Sequence, residues 1–278
     1  MLKQAKLSMI SFFLLALIFI SACASSNASS PDDADSASSA SSLPPSERTE
    51  LTISAAASLT DVLEELQPIF EEAHPAIQLS FNFGGSGSLQ QQIEQGAPAD
   101  LFLSAAEKNT QALIDKGLID TENTTTLLTN ELVLITSNNS DQPITSEQDL
   151  TAEDIKIVAL GIPESVPAGS YAQEALTSLG LYEQLQSKIV QAKDVRQVLQ
   201  YVETGNADAG FVYKTDALTS SKVKIVHTVD PASYTSITYP AGVVSDSKYP
   251  EAAETFYDFL QSPEAHAVFT SYGFSVPE

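Results

Sequence analysis

From Thr49 onward one theme repeats along this chain and restricts its fold more than any other feature. A short apolar strand runs into a loop of small residues, and the loop opens an amphipathic helix. Such alternation predicts an α/β fold with mostly parallel strands. The first unit is the strand Leu51–Ile53, the loop Ser54–Ser58, and a helix that places Leu59, Val62, Leu63, Leu66 and Phe70 on one face. The second is the strand Leu79–Phe83, the loop Gly84-Gly85-Ser86-Gly87-Ser88, and a helix from Leu89. A third strand, Asp100–Leu103, precedes a helix from Ala105 to Lys116 that stops at Gly117, a good residue beyond a helix C-terminus.

A lobe change is expected just before the continuous apolar strand Leu132–Ile135. Strand Ile155–Leu160 then leads through a Gly/Pro-rich loop to a helix over Tyr171–Leu179. Strand Ile189–Val190 leads to a helix that begins after Asp194 and ends near Thr204. A strand over Ala209–Tyr213, a returning strand over Ile237–Val244, and helices over Pro250–Leu260 and Pro263–Ser271 complete the pattern. Four pairs have capping-box spacing: Ser58/Asp61, Ser88/Gln91, Ser170/Gln173 and Asp194/Gln197. Four helix N-termini therefore follow strand ends, where ligands bind in open α/β sheets. If they converge, their free N–H groups and partial positive charge make an anion site without Lys or Arg.

That possibility matters because the formal net charge is −23, with 36 acidic residues against 13 Lys and Arg. Such a balance argues against nucleic acid as a partner, since backbone phosphates are held by clustered cations. His74, His227 and His266 are far apart and belong to no metal-ligand motif, so no zinc site is expected. There is no phosphate-binding P-loop. The Gly84–Ser88 loop approaches the nucleophile elbow G-x-S-x-G but ends in serine instead of glycine. A serine hydrolase, with His227 or His266 as base, stands as the alternative of a different class.

The N-terminal segment reads as a targeting signal. Lys3 and Lys6 precede the 12-residue apolar run Met9–Ile20, too short for a membrane span. The run ends in Ile20-Ser21-Ala22-Cys23, which resembles a bacterial lipobox, and Cys23 is the chain's single cysteine. Residues 1–22 are then a lipoprotein signal peptide and Cys23 the lipidated N-terminus. Residues 23–48 form a Ser-rich tether whose 25 residues after Cys23 reach roughly 25–30 Å as a flexible coil.

The motifs Ala55-Ala56-Ala57-Ser58-Leu59, Gly96-Ala97-Pro98-Ala99-Asp100, Val166-Pro167-Ala168-Gly169 with Tyr171-Ala172, Asp194-Val195-Arg196, Gly210-Phe211-Val212-Tyr213 and Tyr272-Gly273-Phe274 run through the folded region in that order. Taken together they resemble the molybdate-binding proteins of bacterial molybdate ABC transporters. The resemblance implies a two-lobed, type II periplasmic-binding-protein-like α/β fold with the ligand in the interlobe cleft. One lobe would comprise residues 49–129 and 239–278, the other 130–238. It implies that Ser58 and Ser86 bind the oxyanion through hydroxyl and N–H, that Ala168 and Val195 donate backbone N–H groups, and that the Tyr213 hydroxyl completes the shell. Ser88 competes with Ser86 for the second serine position. The expected ligand is molybdate, with tungstate close behind, and no cofactor or resident metal cation. The expected partners are an ABC permease and its ATPase, with the chain a monomer anchored by lipid on the outer face of the cell membrane. No catalysis is expected.

Overall fold

The computed structural model describes residues 48–277. The signal segment, Cys23 and the tether up to residue 47 lie outside the described residues. In chain order the first elements are β1 (Thr49–Ala56), α1 (Thr60–Ala73), β2 (Ile77–Gly84), α2 (Ser86–Glu94), β3 (Leu101–Leu103), α3 (Glu107–Asp115), β4 (Ile119–Thr129), β5 (Leu132–Ser137), β6 (Val158–Gly161) and α4 (Pro167–Ser178). There follow α5 (Tyr182–Leu185), β7 (Ile189–Ala192), α6 (Val195–Glu203), β8 (Ala209–Tyr213), α7 (Lys214–Leu218), β9 (Val223–Thr228), β10 (Thr238–Val244), α8 (Pro250–Leu260) and α9 (Pro263–Ser271).

The strands form two five-stranded sheets, ordered β2-β1-β3-β10-β4 and β7-β6-β8-β5-β9. The chain passes to the second sheet through Asn130 and Glu131 and returns between Thr228 and Thr238. Each sheet anchors one lobe of an α/β fold. The expectation of mostly parallel strands needs correction. β1 pairs parallel with β2 and β3, and β6 with β7 and β8, but β10 and β5 each run antiparallel to both of their neighbours. These two strands follow the crossings between sheets, so they do not arise from the strand–helix–strand units that make neighbours parallel.

The apolar periodicity is realised in packing. In α1, Val62, Leu63, Leu66 and Phe70 are fully buried, each contributing about 1.5–3 kcal/mol of burial. Phe70 meets Phe256 of α8 edge-on at 4.9 Å, which ties the C-terminal helices to the first lobe. Gly117 ends α3 with φ at 68°, in the left-handed region open to glycine.

Two helices start earlier than their patterns predict. α2 begins at Ser86 instead of Leu89, and α4 at Pro167 instead of Tyr171. β6 is shorter than expected at its start: the Lys156 and Ile157 N–H groups donate to Asp208 Oδ2, at 2.7 and 2.9 Å, before the strand begins. The small residues read as loops are therefore first helical turns, with Pro167 suited to that place.

Candidate functional site

Between the lobes lies a small cavity. Ser58, Ser86, Ala168, Val195 and Tyr213, the five residues singled out in the sequence, all line it, together with Ala105 and the Gly84–Gly85 backbone. No charged side chain is among its lining residues. Ser88 is not among them; it sits half-buried within α2. Four helical N-termini border the cavity: the short 3-10 turn Ala57–Leu59 that leads into α1, and the starts of α2, α4 and α6.

Three of the four expected capping boxes do not form. Leu59, Gly85 and Val166 precede α1, α2 and α4, and none makes a side-chain cap. At α6 half of the box forms: Asp194 Oδ1 accepts from the Gln197 N–H at 2.8 Å, while Gln197 Oε1 accepts from the N–H of Lys193 instead of Asp194. Ser86, Ala168 and Val195 stand in first helical turns, where the helix offers their N–H groups no acceptor. Such N–H groups favour an anion.

The Ser86 and Tyr213 hydroxyls are free to donate. Ser86 Oγ accepts from the Ala105 N–H at 3.0 Å, which leaves its proton for another partner. Ser58 Oγ lies 2.9 Å from the Tyr239 hydroxyl. The Tyr213 hydroxyl is buried and has no hydrogen-bond partner among the described residues. Burial pushes its pKa well above the usual tyrosine value, with nearby Tyr239 adding to the shift, so it keeps its proton. A buried hydroxyl without a partner is costly and calls for a ligand acceptor.

Glycine appears where the backbones meet. A Cβ on Gly87 would fall 2.8 Å from Ser165 Cα of the other lobe, and the Gly87 N–H donates to the Ser165 carbonyl at 2.9 Å. A Cβ on Gly169 would lie 2.0 Å from the Gly161 carbonyl oxygen, so the start of α4 packs on the end of β6 only with glycine there. Further contacts close the cleft: Arg196 of α6 pairs with Asp61 of α1, and the Tyr171 hydroxyl donates to the Ala105 carbonyl at 3.2 Å.

Among the described residues no histidine bonds Ser58 or Ser86. Of the two candidate bases, His227 faces Glu147 at 3.4 Å and His266 lies within α9. Also among the described residues, no group of His, Cys, Asp and Glu side chains is arranged to hold a metal ion. Sequence reasoning missed Ala105, Asn130 and the Tyr239 side chain as parts of this site. No local motif marks them, since each acts by reaching another residue distant in sequence.

Residues 51–275 match the family of bacterial extracellular solute-binding proteins. The chain belongs to that family. It is 50% identical over 262 residues to the Bacillus subtilis lipoprotein YvgL, named as an ABC transporter substrate-binding protein, covering 94% of this chain and 95% of that one. It is 38% identical over 235 residues to the Escherichia coli molybdate-binding protein ModA, covering 83% and 91%. Among solved structures, the periplasmic molybdate-binding protein of Azotobacter vinelandii matches with a TM-score of 0.74 and 27% identity, over 82% of this chain and all of that one.

Proposed function

We propose that this solute-binding protein captures molybdate, and tungstate with it, and hands the oxyanion to an ABC importer. The observation that carries the reading is a neutral cavity whose polar groups are donors. Ser86 Oγ already accepts a backbone N–H, Tyr213 has a proton and no partner, and first-turn amides face the same space. A fully ionised tetrahedral dianion has only acceptor oxygens and suits that lining. Hydrogen phosphate carries a proton that needs an acceptor. Sulfate is smaller and fills the shell less well, whereas tungstate is nearly the size of molybdate. The names of the relatives agree with this choice.

In this reading Ser58, Ser86, Ala168, Val195 and Tyr213 bind the anion, the lobes close on it by hinge motion, and no reaction is catalysed. No cofactor is required. The closed form meets a permease with its ATPase, and the receptor works as a monomer. Cys23 carries the lipid anchor on the outer face of the cell membrane, as the lipoprotein name of the Bacillus subtilis relative suggests. Cys23→Ser should release processed protein from membranes and leave ligand binding intact. Processed protein that still needs detergent for release would refute the anchor. Calorimetric titration with molybdate, tungstate, sulfate and phosphate tests the ligand. Comparable binding of the first two and much weaker binding of the others is expected; no heat with molybdate contradicts the reading.

A further inference from the structure

Asn130 and Tyr239 stand at the two passages of the chain between the sheets, and a chain of hydrogen bonds runs from them to the cavity. Asn130 Oδ1 accepts from the Glu131 N–H at 2.9 Å, and Asn130 Nδ2 lies 2.9 Å from Thr215 Oγ1 and 3.3 Å from the Tyr239 hydroxyl. The Glu131 contact fixes the amide orientation, because the reverse would set two donors against each other. Nδ2 can only donate, so the Tyr239 oxygen accepts from it. Tyr239 is almost fully buried, and its proton then has one acceptor in reach among the described residues, Ser58 Oγ at 2.9 Å. The high pKa that burial gives Tyr239 keeps that proton in place. Ser58 Oγ, occupied as an acceptor, is left to donate.

We infer that Asn130 and Tyr239 are positioning residues that fix Ser58 as a proton donor toward the cavity and so select fully ionised oxyanions over protonated ones. The inference rests on the reading of the cavity as an oxyanion site. Each link is a donor handing direction to the next: Glu131 N–H to Asn130, Asn130 to Tyr239, Tyr239 to Ser58, and Ser58 to the anion. Ser86 reaches the same polarity in one step, through the Ala105 N–H. The Ser58 relay differs in that it starts at a residue between the sheets and also touches Thr215 of the second lobe.

Asn130→Asp tests the relay by reversing it. Asn130 is half-buried, so at pH 8 the new carboxylate is ionised and still accepts from Glu131 N–H. It also accepts from the Tyr239 hydroxyl, whose oxygen then accepts a hydrogen bond from the Ser58 O–H, and Ser58 turns a lone pair to the ligand. Molybdate and hydrogen phosphate are both dianions, so the added charge weakens both and cancels in their ratio. The measurement is molybdate titration and its displacement by phosphate at pH 8, on the full folded chain. The expected result is a fall of about tenfold or more in the preference for molybdate. Tyr239→Phe removes the relay without adding charge and should lower the preference in the same direction, by roughly threefold or more. It carries the test if Asn130→Asp does not fold. Weaker molybdate binding with an unchanged ratio in the folded variants overturns the relay and leaves the oxyanion site standing. Failure of the unaltered chain to bind molybdate overturns both.

Discussion

The two lobes share one plan and meet the cavity with different chemistry. In each, one strand has parallel partners on both sides and one long antiparallel strand follows a crossing between the sheets. The first lobe brings two serine hydroxyls, and an outside donor holds the direction of each: Ala105 N–H for Ser86 and Tyr239 for Ser58. The second lobe brings first-turn amides at Ala168 and Val195, aimed by the helices themselves, and the partnerless Tyr213 hydroxyl. A hydroxyl can donate or accept, so the fold must decide for it. A backbone N–H cannot change sign. Side-chain substitution should therefore damage the first lobe's contribution and spare most of the second's.

Substitutions can break that contrast. The largest effect is expected for Gly169→Ala, whose Cβ would collide with a backbone oxygen within one lobe. No hinge opening relieves it, so thermal unfolding should report a loss at or above the usual overpacking range of about 1–3 kcal/mol. Gly87→Ala differs because its collision with Ser165 lies between the lobes. Opening relieves it, so the ligand-free melting temperature should hold while molybdate affinity drops at least about tenfold, by titration.

Next comes Val195. Val195→Ala keeps the N–H and should alter affinity little, whereas Val195→Pro deletes it at the first helical position, where proline is tolerated. The loss should be roughly 1.5–3 kcal/mol of binding. Ser58→Ala, Ser86→Ala and Tyr213→Phe should each lose a similar amount, about ten- to hundredfold in affinity. Ser88→Ala should lose less than Ser86→Ala.

The smallest expected effect concerns the pH response of the second lobe. Asp216 is fully buried behind Tyr213, and burial raises its pKa to about 7 against the pull of Arg196, 3.6 Å away. The folded chain therefore holds this proton more tightly than the unfolded chain. Its stability contribution is fully present below about pH 4, falls as the pH rises from there through about 7, and is flat above. Asp216→Asn should flatten that part of the melting profile and raise Tm at pH 8, by about 2–4 °C for each kcal/mol recovered. A profile unchanged by the substitution would mean that Asp216 does not titrate in this range.

The strand and helix succession was legible because apolar periodicity decides it: α6, α8 and α9 sit within a residue of their patterns. β4 and β9 carried little signal. Both are edge strands, each paired on one side only, and β4 reads Asp-Thr-Glu-Asn-Thr-Thr-Thr over most of its length. The four cavity-facing N-termini were also legible, but for a partly mistaken reason. Ser58, Ser88 and Ser170 have the spacing of caps and do not cap. The uncapped amides are the ones left for a ligand. Ser58 could not be read as a directed donor from sequence, because its partner Tyr239 is 181 residues away.

The central claim is that one dianion sits where the hydroxyls of one lobe meet the amides of the other. X-ray diffraction from crystals grown with molybdate, recorded at the molybdenum absorption edge, tests it most directly. The account predicts one anomalous peak within hydrogen-bonding reach, through oxygen, of Ser58, Ser86, Ala168, Val195 and Tyr213. A peak elsewhere, or none in this cavity from protein that binds molybdate in solution, would contradict it.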